Sequence, residues 1–323
     1  MPSVPLHVVT GAFGYSGKYI ARRLLERDVR VATLTNSPSR PHEFGDRVRV
    51  VPLQFTDEDA LTTSLASVSV LYNTYWVRFD HSLFNHEAAV AGTLALFRAA
   101  RRASVGRIVH VSITNPSLTS PLPYFSGKAR IEEALVASGV PHSILRPAVL
   151  FGAEDILINN IAWALRTFPV FGVFGGGRYR LRPIHVDDLA ALAVAEGERK
   201  ESVVLDAVGP ETFTYRELVD TIARAIDRRR PVMSVPRWLG HLVGKIIGAW
   251  HRDVFITREE IAGLMAGLLD SQGPATGQTR LSEWAATQKA TLGLRYASEL
   301  RRRRERSAPY SPAGSRSSAS IDA

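Results

Sequence analysis

Tyr124 and Lys128 stand four positions apart in the run Tyr-Phe-Ser-Gly-Lys. On a helix that spacing puts both side chains on one face, where an ammonium beside a phenol stabilises the phenolate and brings proton exchange towards neutral pH. The lysine could also hydrogen-bond the ribose of a nicotinamide nucleotide. Pro123 and Gly127 flank or interrupt the pair, so the tyrosine could instead fall in a turn ahead of the helix. Upstream, Ser112 and Thr114 end an apolar run. Thr114 is the expected hydroxyl for orienting a substrate carbonyl, and a simple strand-end cap is the alternative.

A second group binds rather than reacts. Thr10-Gly11-Ala12-Phe13-Gly14-Tyr15-Ser16-Gly17 follows a short apolar run and precedes an amphipathic one. Gly11 allows a tight turn, Gly14 a close approach to a pyrophosphate, and Gly17 close packing of the following helix, whose amino terminus faces the phosphates. Thr10, Gly11, Phe13, Gly14, Tyr15 and Gly17 are therefore expected around a dinucleotide. After the second apolar run comes Thr35-Asn36-Ser37, without an acid, and then Arg40. An acid there favours NAD and an arginine NADP, so Asn36 and Arg40 lean the expectation towards NADP, with NAD left open. Gln54 is placed to meet the adenine edge, and Asn73 to face the same crevice.

Stepwise alternation positions these residues. Strands are expected at Leu6 to Thr10, Val29 to Leu34, Val48 to Leu53, Val68 to Asn73, Arg107 to Ile113 and His142 to Leu145. Helices are expected at 18–27, 57–66, 82–103 and 126–138. Such alternation predicts an α/β fold, a doubly wound parallel sheet of Rossmann-like type, with ligands beyond the carboxyl ends of the strands. Residues 1–150 read as the dinucleotide-binding domain, 151–300 as a smaller substrate lobe interleaved with the sheet, and 301–323 as a disordered basic tail.

Within the lobe, a helix is expected over 156–168, a glycine-rich stretch over 171–177, a strand over 202–207 and a helix from Thr214 with the capping box Thr214-x-x-Glu217. His185, Asp187 and Asp188 read as helix caps rather than a metal or relay site. Arg178, Arg180 and Arg182 could meet an anionic substrate or only solvent. Trp238, Leu239, Leu242, Val243, Ile246, Ile247 and Trp250 recur at helical spacing. They suit either a helix packed on the core or an amphipathic segment against a membrane or partner protein.

The chain has no cysteine, which excludes disulfides and thiolate chemistry, and no metal site is expected. Its net charge is +9, but six arginines against Glu305 and Asp322 place +4 of that in the tail, so a specific nucleic-acid site is not expected. No leader pattern or membrane-length apolar run is visible, which predicts a cytoplasmic protein, with membrane association left to the tryptophan segment.

Together, Thr-Gly-Ala-x-Gly-Tyr-x-Gly at 10–17, Tyr-x-x-x-Lys at 124–128, Leu-Arg-Pro at 145–147 and Val-Asp-Asp-Leu-Ala at 186–190 resemble the extended and atypical branches of the short-chain dehydrogenase/reductase superfamily. The resemblance covers about residues 4–230. The short span before Tyr124 looks like NmrA-like proteins and like relatives of the nucleotide-binding accessory subunit of respiratory complex I, as does Leu71 to Trp76. It implies a dinucleotide on Gly11, Gly14 and Gly17, an acid/base at Tyr124, a lysine at Lys128 and a hydroxyl at Thr114. Two functions follow: an oxidoreductase or epimerase-like enzyme acting on a small carbonyl or alcohol, or a non-catalytic redox sensor or accessory protein of a membrane- or quinone-linked assembly. Thr114 and Tyr124 lie only ten positions apart, a shorter span than active extended enzymes use.

Overall fold

The computed structural model describes residues 4–308. The first half runs β1 (Leu6–Thr10), α1 (Tyr15–Leu25), β2 (Arg30–Thr35), β3 (Val48–Pro52), α2 (Glu58–Ser64), β4 (Val68–Asn73), α3 (His86–Arg102), β5 (Arg107–Val111), α4 (Pro123–Ala137) and β6 (His142–Pro147). The second half adds β7 (Val149–Phe151), α5 (Leu157–Thr167), β8 (Phe171–Phe174), β9 (Arg180–Leu181), β10 (Pro183–His185), α6 (Val186–Gly197), β11 (Val203–Ala207), β12 (Phe213–Thr214), α7 (Tyr215–Ala225), β13 (Val232–Val235), α8 (Arg237–His251), α9 (Arg258–Met265), α10 (Leu281–Thr287) and α11 (Glu299–Arg304).

Seven strands form one parallel sheet in the order β11-β6-β5-β4-β1-β2-β3. The inner strands are apolar on both faces because helices cover both. On one side Ile20 and Leu24 of α1 meet Leu189 and Ala193 of α6; on the other Leu61, Leu96, Ile131 and Leu135 come from α2, α3 and α4. A third core, around α5, α7 and α10, fills the second half. The order reverses at β1, so the crevice at the carboxyl ends of the strands opens beside the glycine turn.

Local chemistry sets the boundaries. The third helix begins at His86 rather than 82 because the Asn85 side chain accepts from Ala88 N and caps it. Pro123 is the first residue of α4, where its missing N–H costs nothing, so Tyr124 lies in the helix and shares a face with Lys128. The Thr214–Glu217 capping box is present. The glycine-rich stretch holds a strand the sequence hid, β8, which pairs in parallel with β13.

Two expectations need correction. The tail is not disordered from 301: α11 forms because Ser298 caps it, Asp253 accepts from Glu299 N and Leu300 N, and Leu300 is buried. The rest of the tail, from 309, lies outside the described residues. The tryptophan segment does form a helix, and of its large apolar side chains Ile247 is buried while most of the others turn outward. Gly240, Gly244 and Gly248 face the body; a Cβ at Gly248 would lie 2.6 Å from the Asp253 carbonyl oxygen. Trp238, Ile246 and Trp250 project outward, 69%, 61% and 77% exposed.

Candidate functional site

The glycine turn is built as a cradle. Gly11 has φ +68°, and Gly14 N donates to Gly11 O at 2.8 Å. A Cβ at Gly17 would sit 2.4 Å from Gly11 O, so only glycine lets α1 approach β1 this closely. Gly14 caps α1 with no side-chain hydrogen bond, and no acid lies in the first turn. The helix therefore presents unsatisfied N–H groups and a positive dipole end to the crevice, as a pyrophosphate requires. Lys18 adds a cation one turn in, paired with buried Glu154.

The neighbouring side chains divide between lining that crevice and shaping it. Asn36 and Gln54 are exposed at the ends of β2 and β3, and Tyr15 opens α1. Thr10 and Asn73, expected to face the cofactor, are instead wholly buried. The Thr10 hydroxyl donates to Asn73 Oδ1 at 3.1 Å, and Asn73 Nδ2 pairs with His110 Nδ1 at 3.0 Å. Thr74 N donates back to Thr10 Oγ1 at 2.8 Å, so the group fixes the loop after β4. The Phe13 ring stacks on His42 at 3.8 Å inside the core, leaving only its backbone to a ligand.

Arg40 is corrected too. Its guanidinium donates to Arg302 O at 2.8 Å and Arg306 O at 3.2 Å, binding chain more than 260 positions away. That chain forms a strap. Arg306 donates to Asn36 O and Arg303 to Trp76 O, so it joins the loops after β2 and β4 on either side of β1. Arginines remain beside the end of β2, but those of the strap replace Arg40 as the expected contact.

On α4 the tyrosine and lysine share a face without pairing. Lys128, 2% exposed, donates to Val111 O at 2.7 Å and lies 4.5 Å over the Trp76 ring. Tyr124 meets the same ring edge-on at 5.6 Å, and among the described residues no hydrogen bond joins phenol and ammonium. Trp76 takes the place the sequence left open between them. Burial lowers the Lys128 ammonium to about 7, partly opposed by Glu132. Burial pushes the Tyr124 phenol upward and Glu260 adds to that, while Arg78 works against it. The phenol therefore stays protonated, a donor rather than a base.

Thr114 does not serve as the substrate hydroxyl: wholly buried, it donates to Leu268 O at 2.8 Å. Ser112 donates to Glu132, which also holds Arg146. His185 itself caps α6, Asp188 accepts from Gln278 N and Thr279 N, and Asp187 pairs with Arg23. Arg182 is bound to the Gly209 and Gly273 carbonyls and Arg180 to Asp270. No cluster among the described residues could hold a metal ion.

Beyond Tyr124 lies a cavity of about 680 Å³, within the size range of small-molecule sites. Tyr124, Arg78 and Glu260 supply polar groups to it, whereas Ile113, Ala148, Ile161 and Leu264 are typical of its walls. Arg78 is held by Glu260 at 2.5 Å and by Phe255 O at 3.0 Å, while its Nη1 has no partner. Sequence reasoning missed Arg78 and Trp76 as site residues, since both sit in a loop whose path depends on distant contacts.

Comparison with known proteins agrees with this geometry. Residues 11–159 match the family described as NAD(P)H-binding. NADH dehydrogenase (ubiquinone) 1 alpha subcomplex subunit 9, mitochondrial, of Arabidopsis thaliana is 30% identical over 66% of this chain and 56% of its own length. The 40 kDa subunit of Neurospora crassa NADH-ubiquinone oxidoreductase is 27% identical over 71% of this chain. The chain covers 62% of that relative, so it spans only part of both. A 4-hydroxy-2-methyl-3-oxo-4-farnesyl-3,4-dihydroquinoline-1-oxide ketoreductase of Stigmatella aurantiaca is 28% identical over 59% of this chain and 64% of its own length. Among solved structures, triphenylmethane reductase of Citrobacter superposes with a TM-score of 0.71 at 18% identity, over 88% of this chain and 98% of that one. It has the same fold.

Proposed function

We infer, for a chain whose residues 11–159 belong to the NAD(P)H-binding family and which is a relative of mitochondrial complex I subunits, that it reduces a carbonyl compound held in the cavity beside Tyr124. The observation that carries this reading is an apolar cavity lined by Tyr124 and Arg78 in a chain whose glycine turn fits a dinucleotide. The cradle fits a dinucleotide because Gly17 has no room for a side chain and α1 has no cap of its own. Gly11 to Gly17 would hold the pyrophosphate, and Asn36 and Gln54 the adenosine end. We assign NADP as the preferred form because the Arg306 guanidinium lies on the Asn36 carbonyl at the end of β2.

When bound, the nicotinamide supplies a hydride to the carbonyl carbon. The Tyr124 hydroxyl gives its proton to the carbonyl oxygen, so an alcohol forms, and water restores the phenol. The Arg78 guanidinium, part of the cavity lining, would draw the carbonyl oxygen to the polar end. Lys128, kept apart by Trp76, positions α4 against Val111 rather than tuning the phenol. The test is NADPH oxidation against a panel of ketones, with Tyr124→Phe as control. Turnover lost and nucleotide affinity kept is the expected result; a Phe variant that turns over normally removes Tyr124 from the mechanism.

A further inference from the structure

The cavity reaches the surface beside α8. Val170, Val243, Ile246 and Trp250 line it and are also exposed, so its mouth lies along the outward side of α8. That side is apolar because the three glycines take the inner face. The stretch of sequence that contains α8, residues 228–252, has five arginines and one lysine and no Asp or Glu. Asp227, just before, is paired with Lys289, and Asp253, just after, is buried beneath Tyr296 and α11. Downstream, the next exposed acid is Glu259, which also lines the cavity and follows Arg258, so cations outnumber acids along this stretch.

An apolar stripe with aromatic residues at both ends and flanking sequence rich in cations has the chemistry of a helix lying in the headgroup layer of an anionic bilayer. No helix among the described residues is long and apolar enough to cross a membrane, so the contact is flat. A cavity that opens through such a stripe is continuous with the acyl region rather than with water. Its walls are mostly apolar, with Arg78 and Tyr124 among the few polar groups, which suits a molecule with one polar end and a long hydrocarbon tail.

We propose that α8 docks on anionic membrane and that the cavity draws from it a long-chain carbonyl lipid, head at Tyr124 and tail beneath α8. This rests on the reductase reading above, and its test separates the two. The full chain is sedimented with vesicles of phosphatidylcholine containing about a third phosphatidylglycerol, and with phosphatidylcholine alone. The expected results are about tenfold tighter binding to the anionic vesicles, weakening in high salt, and loss in Trp238→Ser/Ile246→Ser/Trp250→Ser. The NADPH-induced rise in melting temperature stays the same in that variant. Independently, N-phenyl-1-naphthylamine bound in the cavity is displaced by 2-tridecanone and not by acetone, and Val170→Trp at the mouth weakens its uptake about tenfold.

The proposal is overturned if wild type ignores anionic vesicles, if it pairs with a second copy through this face instead, or if both ketones displace the probe equally. A melting shift that is absent while vesicle and probe results hold overturns the reductase reading and leaves the docking intact.

Discussion

Replacing Gly17 by alanine tests the cradle with a single methyl group. The added carbon would lie 2.4 Å from Gly11 O, 2.8 Å from Gly11 C and 3.2 Å from Ala12 N. Ordinary contact begins at 3.4 Å, so the turn must open by about 1 Å, and every obstructing atom is backbone. Overpacking of this kind costs about 1–3 kcal/mol, and here the strain falls on the N–H groups that would grip phosphate. Since about 1.4 kcal/mol is tenfold in affinity, calorimetry should show the NADPH Kd rising about 10- to 100-fold. The melting temperature should fall by a few degrees. Gly139→Ala is the control: its φ of +71° imposes strain of about 1–2 kcal/mol, but nothing lies within 4 Å of the new carbon. It should lose stability and keep its nucleotide affinity. A Gly17→Ala protein with wild-type Kd, or a Gly139→Ala protein that binds as poorly, would refute the reasoning.

Three further outcomes follow from the site. Tyr124→Phe should lower kcat by about 10²- to 10⁴-fold and leave the NADPH Kd unchanged; a comparable loss of NADPH affinity would make the residue structural. Lys128 has a pKa near 7 folded against 10.5 unfolded, so below pH 7 it is protonated in both states and its full burial cost is felt, a cost that declines as pH rises through that window. Urea unfolding at pH 6.5 and 9 should therefore show wild type gaining up to about 1.4 kcal/mol per pH unit more than Lys128→Met, and equal gains would discard the lowered pKa. Arg306→Ala should weaken NADPH about tenfold and spare NADH, from loss of one charge-assisted contact; an unaltered ratio of the two affinities would place the phosphate selector elsewhere.

What could be read in advance was local. The β1–glycine–α1 unit is legible because each glycine answers a nearby backbone constraint, and the sheet because buried parallel strands are apolar runs. Tyr124 and Lys128 on one helix face follow from spacing alone. Their separation by Trp76 does not, because that ring arrives from a loop some 50 positions earlier. Thr114 was misread for a similar reason: its partner, Leu268, is 154 positions away. Arg40 was assigned to a phosphate when it holds backbone 262 and 266 positions on. In α8 the periodicity is legible, but which of the two expected faces turns inward is not. A period of 3.6 marks two opposite faces, and only packing shows that the glycines, not the tryptophans, turn inward.

The strap of residues 298–306 gives the coenzyme a second lever on the molecule. It touches the Asn36 carbonyl, Arg40 and the Trp76 carbonyl, all at the rim of the nucleotide crevice. Docking of that segment and occupancy of the crevice are then thermodynamically reciprocal: whatever one adds to the other's stability is returned in equal measure. A protease clip near Ser298 would register as faster coenzyme escape, and saturating coenzyme would shield the same peptide bond from cleavage.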